Sequence, residues 1–332
     1  MPEKNTTGTI LTIQGFSLND GPGIRTTVFL KGCDIFCKWC HTPEGRRHYP
    51  EVYQYWPNCT DCGKCDDVCP VGAISVLSRE DYGGDIITKK ADDGLEYQVQ
   101  IKKKRIRKIQ IDKSLCIGCQ RCVNVCKDKA FVVIGKIVTA KEVLDEVEKD
   151  RPFYKESGGG MTISGGEPTS QPDFAYALLK GAKKRRIRTA LDTNGCATWE
   201  TYSRLLEYTD LVLLDIKHMN AEAHKKFAGV SNQNVLENAR KIVASGVDTH
   251  FRVPVIMDVN DSAENMEATA SFAEELGVKC VDLLPYHPWA GSKYRLLSID
   301  FPYPKGKGYP KKKMAALRKI FRSHGVKTTV GG

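Results

Sequence analysis

The sequence predicts an α/β protein with a parallel sheet, interrupted near its N-terminus by a small cysteine-rich α+β domain. Three observations predict it. From Met161 onward, short runs rich in Val, Leu and Ile alternate with helical patterns, as in strand–helix–strand units. Between Cys59 and Cys126 that alternation stops and two dense cysteine runs take over. An apolar strand, Thr26–Leu30, precedes this insert and belongs with the strands that follow it. At 332 residues, 41% hydrophobic and 27% charged, the chain is long enough for about two domains and a substantial core.

In chain order, the main domain occupies residues 1–50 and resumes over 134–332, with the insert at 51–133. Thr26–Leu30 runs straight into a loop holding Cys33, Cys37 and Cys40. Within the insert, a long spacer from Ser78 to Lys113 separates the cysteine runs. It has turn-rich stretches, Tyr82-Gly-Gly-Asp85 and Ala91-Asp-Asp-Gly94, and an alternating Ile/Lys part that reads as an edge hairpin. No function is legible in it. Thr139-x-x-Glu142 is a capping box opening a helix with Val143, Leu144 and Val147 on one face. Strands then read at Met161–Ser164, Thr189–Asp192, Leu211–Ile216, Phe251–Met257 and Val281–Leu284. The helices between them show in Phe174, Ala177 and Leu178, in Val235, Leu236, Ala239 and Ile242, and in Met266, Ala270 and Ala273. Gly277 stops the last of these. Such alternation suits a barrel or an open sheet, and periodicity does not choose between them.

Of the 13 cysteines, all but Cys196 and Cys280 fall in three tight groups, which is ligand spacing rather than bridge spacing. C-x₃-C-x₂-C at Cys33, Cys37 and Cys40 offers three thiolates from one loop. On a [4Fe–4S] cube that leaves one iron open to bind a small molecule; the alternative is zinc with His41 or His48 as fourth ligand. Cys59-x₂-Cys62-x₂-Cys65-x₃-Cys69-Pro70 and Cys116-x₂-Cys119-x₂-Cys122-x₃-Cys126 repeat the bacterial ferredoxin ligand run, with Lys127 where the second copy would have Pro. In such runs the fourth cysteine crosses to the other cluster. One cluster is therefore assigned to Cys59, Cys62, Cys65 and Cys126, the other to Cys116, Cys119, Cys122 and Cys69. A pair of Cys₄ zinc sites is the alternative. Cys196 and Cys280 are expected as small buried hydrophobes.

The formal charge of +10 sits largely in Lys102–Lys108, Lys183–Arg186 and the Lys-rich stretch Lys305–Lys313. No aromatic interleaving accompanies these runs, so solvated faces, or steering toward an acidic protein partner, are expected rather than nucleic-acid binding. No apolar run is long enough to span a bilayer, and the start MPEKNTTG is not a signal peptide. A cytoplasmic protein without membrane contact, in a reducing or anaerobic host, is expected.

With Trp39 just before its last cysteine, the C-x₃-C-x₂-C loop resembles the signature of radical S-adenosylmethionine (SAM) enzymes. Asp20-Gly-Pro-Gly-Ile-Arg25 ahead of it resembles one branch, the activases that install a glycyl radical in a partner enzyme. Ser164-Gly-Gly-Glu167, Asp192-Thr-Asn-Gly195, Asp215-Ile-Lys217 and Leu284-Pro-Tyr-His287 follow in the order that branch has them. The resemblance implies a partial (β/α)₆ barrel, with functional groups at the carboxyl ends of its strands. It also implies three [4Fe–4S] clusters and SAM, whose amino and carboxylate groups chelate the open iron. Gly165, Gly166 and Glu167 then receive the SAM ammonium, Lys217 its carboxylate and Trp39 its adenine. Asp192, Thr193 and Asp215 match oxygens that hold a monovalent cation. Asp20, Arg252 and His287 match positions that meet the partner's glycine loop, Arg252 and His287 also bordering the cofactor. His250, on the same strand face as Arg252, either joins them or is a packed structural histidine.

By the same resemblance, one electron from a flavodoxin or ferredoxin cleaves the sulfonium. The resulting 5′-deoxyadenosyl radical takes a hydrogen from one backbone glycine of the partner. No acid or base is needed for that step, in keeping with the lack of a nucleophile–base pair. The expected protein is thus an oxidoreductase, and a monomer. Two other readings are a radical SAM enzyme acting on a small molecule and a ferredoxin-type electron carrier. Leu284-Pro-Tyr-His287 and the position of the insert argue against the first, and the Cys33 loop with its Gly-Gly-Glu turn against the second. Activators of pyruvate formate-lyase proper lack such an insert. The chain is instead similar to activators of glycyl-radical lyases, dehydratases, decarboxylases and fumarate-adding synthases. Asp150-Arg-Pro-Phe-Tyr154, ahead of Ser157-Gly-Gly-Gly160, resembles choline-lyase and diol-dehydratase activators most.

Overall fold

The computed structural model describes residues 6–82, 86–90, 96–100, 102–287, 290–297, 301 and 308–331. The expected turns around Gly83 and Asp92, and part of the basic stretch beginning at Lys305, lie outside them. The chain divides into two compact units, Met1–Tyr49 with Gly135–Gly332, and Pro50–Ile134.

The first unit is built on a nine-stranded sheet. Seven strands run parallel in the order Arg25–Leu30, Gly160–Gly165, Thr189–Thr193, Leu211–Asp215, Asp248–Val255, Cys280–Pro285 and Lys327–Val330. Beyond Arg25–Leu30, Thr7–Ser17 and then Lys136–Thr139 add antiparallel. The parallel strands are almost continuously buried, as strands covered on both faces must be. Successive side chains alternate between faces. Phe251, Val253 and Val255 pack into the large core against helix residues such as Leu178, Ile242 and Met266, while the inner face carries the small cluster Ala190, Leu211 and Leu213. Polar residues at the upper strand ends therefore face inward, over an apolar floor.

The six expected strands are present, with ends shifted by up to three residues. Thr7–Ser17 has no legible apolar period, since Gly8 and Gly15 interrupt it; a Cβ at Gly8 would lie 2.1 Å from the Phe174 ring. Lys327–Val330 is too short to read. The capping box forms: Thr139 Oγ1 accepts from Glu142 N at 3.2 Å, and Glu142 Oε2 accepts from Thr139 N at 2.7 Å. Gly277, at φ +71°, ends the helix Ala263–Glu275. None of the described helices is long and apolar enough to cross a membrane.

In the second unit, Glu51–Gln54 pairs antiparallel with Phe131–Ile134, and a short helix lies in each cysteine run, Lys64–Asp67 and Arg121–Val125. The core is small: Val52, Ile109 and Phe131, with Cys65, Cys122 and Cys126 packed against it. The spacer differs from the expected edge hairpin. Its Ile/Lys-alternating end, Lys104–Ile111, pairs with Ile74–Tyr82, the strand following the first cysteine run, while Ile86–Lys90 and Glu96–Gln100 form a second ladder.

Candidate active site

The Cys33 loop closes on itself before it reaches the rest of the barrel unit. Gly32 N donates to Gly45 O at 2.6 Å and Cys33 N to Arg46 O at 2.9 Å. Lys31, fully buried, reaches from below to the Glu44 carbonyl at 2.8 Å. The tip is docked by Phe36 N on Ala228 O (2.9 Å) and Lys38 N on Phe227 O (3.0 Å). Arg46 Nη2 donates to the Cys37 carbonyl at 2.9 Å, and Tyr294 donates its hydroxyl to that of Cys40 at 3.1 Å. The three thiols are thereby held on the wall of a cavity of about 290 Å³. Burial and the nearby Glu167 push the Cys33 thiol up to about 12, and burial pushes Cys37 up to about 11 against the opposing charge of Lys217. The bare thiols are therefore protonated at neutral pH, and binding a metal must release their protons.

Gly165, Gly166, Glu167, Asp192, Thr193, Asp215, Lys217 and Trp39 line the same cavity. Gly165 sits at φ +119°, and a Cβ on Gly166 would lie 2.2 Å from Gly32 O, so this turn must be glycine to pack against the cysteine loop. Gly166 N donates to Leu30 O (2.8 Å) and Glu167 N to Gly32 O (2.7 Å). The Glu167 carboxylate, 3% exposed, accepts from Thr169 N (3.0 Å), Thr169 Oγ1 (2.8 Å), Thr193 Oγ1 (2.7 Å) and Asn194 N (2.7 Å). Burial raises its pKa and those hydrogen bonds pull the other way.

At the strand ends, part of the cavity wall is a charge network. Asp192 Oδ2 accepts from Ser164 Oγ at 2.6 Å and lies 3.1 Å from Arg252 Nη1. Lys217 pairs with Asp215. Burial works against the Lys217 charge, yet Asp215 and the neighbouring thiols hold its pKa above the ordinary lysine value. Arg252 does not line the cavity; it lies at mid-strand beneath it and also donates to Asn19 O at 3.1 Å. Asp20 and His287 do not line it either. Asp20 Oδ2 accepts from Thr27 Oγ1 at 2.8 Å, and the His287 ring meets that of His41, a wall residue, edge-on at 6.3 Å. His250 pairs with Asp282 at 3.7 Å, and Asp282 also accepts from Thr329 (2.6 Å) and the Cys280 thiol (3.7 Å). Cys280 is thus hydrogen-bonded rather than merely apolar, and Cys196 packs beside Cys37 and Trp39. Sequence reasoning missed Arg46, a wall residue whose buried Nε has no hydrogen-bond partner among the described residues. Outside any motif, it left no signal.

In the second unit the eight cysteines line two cavities. One holds Cys59, Cys62, Cys65 and Cys126, the other Cys69, Cys116, Cys119 and Cys122.

A family model described as the radical SAM superfamily matches residues 116–273, and one described as a 4Fe-4S dicluster domain matches residues 58–130. The isethionate sulfite-lyase activating enzyme of Nitratidesulfovibrio vulgaris is 40% identical over 306 residues, covering 90% of this chain and 91% of that protein. The choline trimethylamine-lyase activating enzyme of Oleidesulfovibrio alaskensis is 35% identical over 297 residues, 88% of each chain. The (2S)-3-sulfopropanediol dehydratase activating enzyme of Klebsiella oxytoca is 33% identical over 333 residues, 98% of this chain and 97% of that one. This chain belongs to the radical SAM activating enzymes of glycyl-radical enzymes. As such an activating enzyme it is a radical-generating oxidoreductase that uses [4Fe–4S] clusters and SAM and acts on glycyl-radical enzyme partners. The residues fit those groups. All-thiol donor sets suit iron–sulfur clusters, and the orphaned Arg46 N–H on the cavity wall calls for an electronegative occupant.

Proposed function

We propose that Cys33, Cys37 and Cys40 of this activating enzyme hold the cluster at which SAM is cleaved. When bound, that cluster supplies the electron and SAM the radical that takes hydrogen from the partner's glycine. The observation that carries the reading is one cavity lined by three thiols, the Gly165–Glu167 turn, and the Asp215–Lys217 pair. The chain's own residues bind and orient. The Gly165–Glu167 turn receives the SAM ammonium, Lys217 its carboxylate, and Trp39 borders the adenine. Asp20, Arg252 and His287, outside the cavity wall, meet the incoming glycine loop. A monovalent cation at Asp192, Thr193 and Asp215 would have to share Asp192 with Arg252 and Asp215 with Lys217, so the potassium dependence of SAM affinity decides whether one binds.

Residues 51–133 form, in this reading, a ferredoxin-like insert in the barrel domain made by 1–50 and 134–332. Its two clusters, one per cavity, bring the total to three. An acidic flavodoxin or ferredoxin delivers the electron, supported by the +10 formal charge of the chain. The partner is a lyase of the isethionate sulfite-lyase type, supported by 40% identity to its activating enzyme against 33–35% for the sulfopropanediol and choline relatives. Anaerobic incubation with dithionite, SAM and each candidate partner tests this. Expected are 5′-deoxyadenosine release and a glycyl-radical EPR doublet with the sulfite-lyase, both abolished in Cys33→Ala. Release of 5′-deoxyadenosine with no doublet on any partner would overturn the partner assignment, and no release at all would overturn the site.

A further inference from the structure

The spacer that is silent in sequence makes the two insert cavities electrically unequal. Arg79 and Arg107 stand directly opposite each other in the ladder between Ile74–Tyr82 and Lys104–Ile111. Like charges so placed repel unless an anion sits between them. That anion is Asp61, 2.7 Å from Arg107 Nε, 3.2 Å from Arg79 Nε and 4.0 Å from Arg105 Nε. Asp61 lies inside the Cys59-x₂-Cys62 loop at φ +55°, and its N–H donates to Cys59 Sγ at 3.4 Å. Arg107 also binds Asp66, the neighbour of Cys65, at 2.5 Å. Only 7% exposed, Arg107 is not the solvated surface charge that its basic run suggested.

Arg107 lines the cavity of Cys59, Cys62, Cys65 and Cys126, whereas Asp61 and Asp66 do not; the other charges on that wall, Lys64 and Asp128, are exposed and of opposite sign. The cation therefore stands at the wall with its acids behind it. The other cavity is walled by Val52, Val71, Ala73, Ile74, Ile111 and Ile117, and its one cation, Arg121, is exposed and screened by water. A cluster's potential follows local charge, hydrogen bonding and solvent access. A buried positive charge favours the reduced core, which carries one more electron.

Resting on the two-cluster reading of the insert, we propose that Arg107 makes the cluster at Cys59, Cys62, Cys65 and Cys126 the higher-potential one, so that an electron entering the insert settles there. The ladder of Ile74–Tyr82 with Lys104–Ile111 is then a redox-tuning element. The one-electron reductant is external, and no bond is made or broken.

The test is a dithionite titration of the full-length holoprotein followed by EPR, with Cys62→Ser and Cys119→Ser variants used to assign the signals. Two separated insert potentials are expected, the higher altered by Cys62→Ser. Arg107→Gln should shift only that potential downward, and Arg107→Lys should keep most of it. If Arg107→Gln loses its cluster, Arg79→Gln, about half exposed, should give a smaller downward shift of the same signal. Equal potentials, the higher one assigned by Cys119→Ser, or no shift in either arginine variant would overturn the inference. Fewer than two insert clusters by iron count would instead overturn the reading on which it rests.

Discussion

Asn194 gives its backbone N–H to Glu167 at 2.7 Å, tying the loop after one parallel strand to the turn after its neighbour. With Thr169 and Thr193 on the same carboxylate, Glu167 is a structural tie as well as a candidate ligand. Truncating it leaves buried donors unpaired. Glu167→Ala should cost about 3 kcal/mol of stability and abolish SAM binding. An anaerobic urea titration checks the first effect and equilibrium dialysis the second. A variant that unfolds like the parent and still binds SAM would sink both claims.

The close approach of Gly166 to Gly32 and Gly45 gives a second prediction. A Cβ at Gly166 would lie 2.2 Å from one carbonyl oxygen and 2.7 Å from the other, and both belong to the cysteine loop's backbone. Gly166→Ala must displace that loop. It should lose about four irons per chain while keeping the remainder. Unchanged iron content would mean that the loop yields without losing its ligand geometry.

Iron and sulfide analysis of the anaerobically purified protein makes a third. About twelve irons per chain are expected, falling to about eight in a Cys33→Ala/Cys37→Ala/Cys40→Ala variant. Zinc in place of iron, or about four irons in the parent, would dismantle the three-cluster proposal.

His250 predicts a pH dependence. The neighbouring Asp282 carboxylate and Cys280 thiol raise its pKa to about 10, despite burial. Arg252, two residues along, faces the same lumen and also acts on Asp282. In the unfolded chain a histidine titrates near 6.5. Because the folded value is the higher one, the stabilisation is complete below about pH 6.5 and fades as pH rises through about 10. Urea midpoints should thus fall more steeply across that window in the parent than in His250→Gln. Parallel curves would show that the Asp282 pairing carries no net stability.

Much of the site was legible because its chemistry is local. The spacing of Cys33, Cys37 and Cys40, the Gly165-Gly166 turn and the polar ends of apolar strands are all set within a few residues. Thr7–Ser17 was not legible, since its glycines and threonines blur the period-two pattern that marks a strand. Arg46 was missed because its contact with the Cys37 carbonyl depends on how the loop folds back.

By itself, then, the sequence determined the grouping of the cysteines, the six inner strands and the family. Cysteine spacing, strand alternation and short motifs are properties of neighbouring residues. Only the tertiary structure decided that Arg252 meets Asp192 rather than the cavity, and that Arg107 of the spacer is buried against Asp61. Those pairings join residues 60 and 46 positions apart. Strand order and register bring them together, and neither is written in a local period.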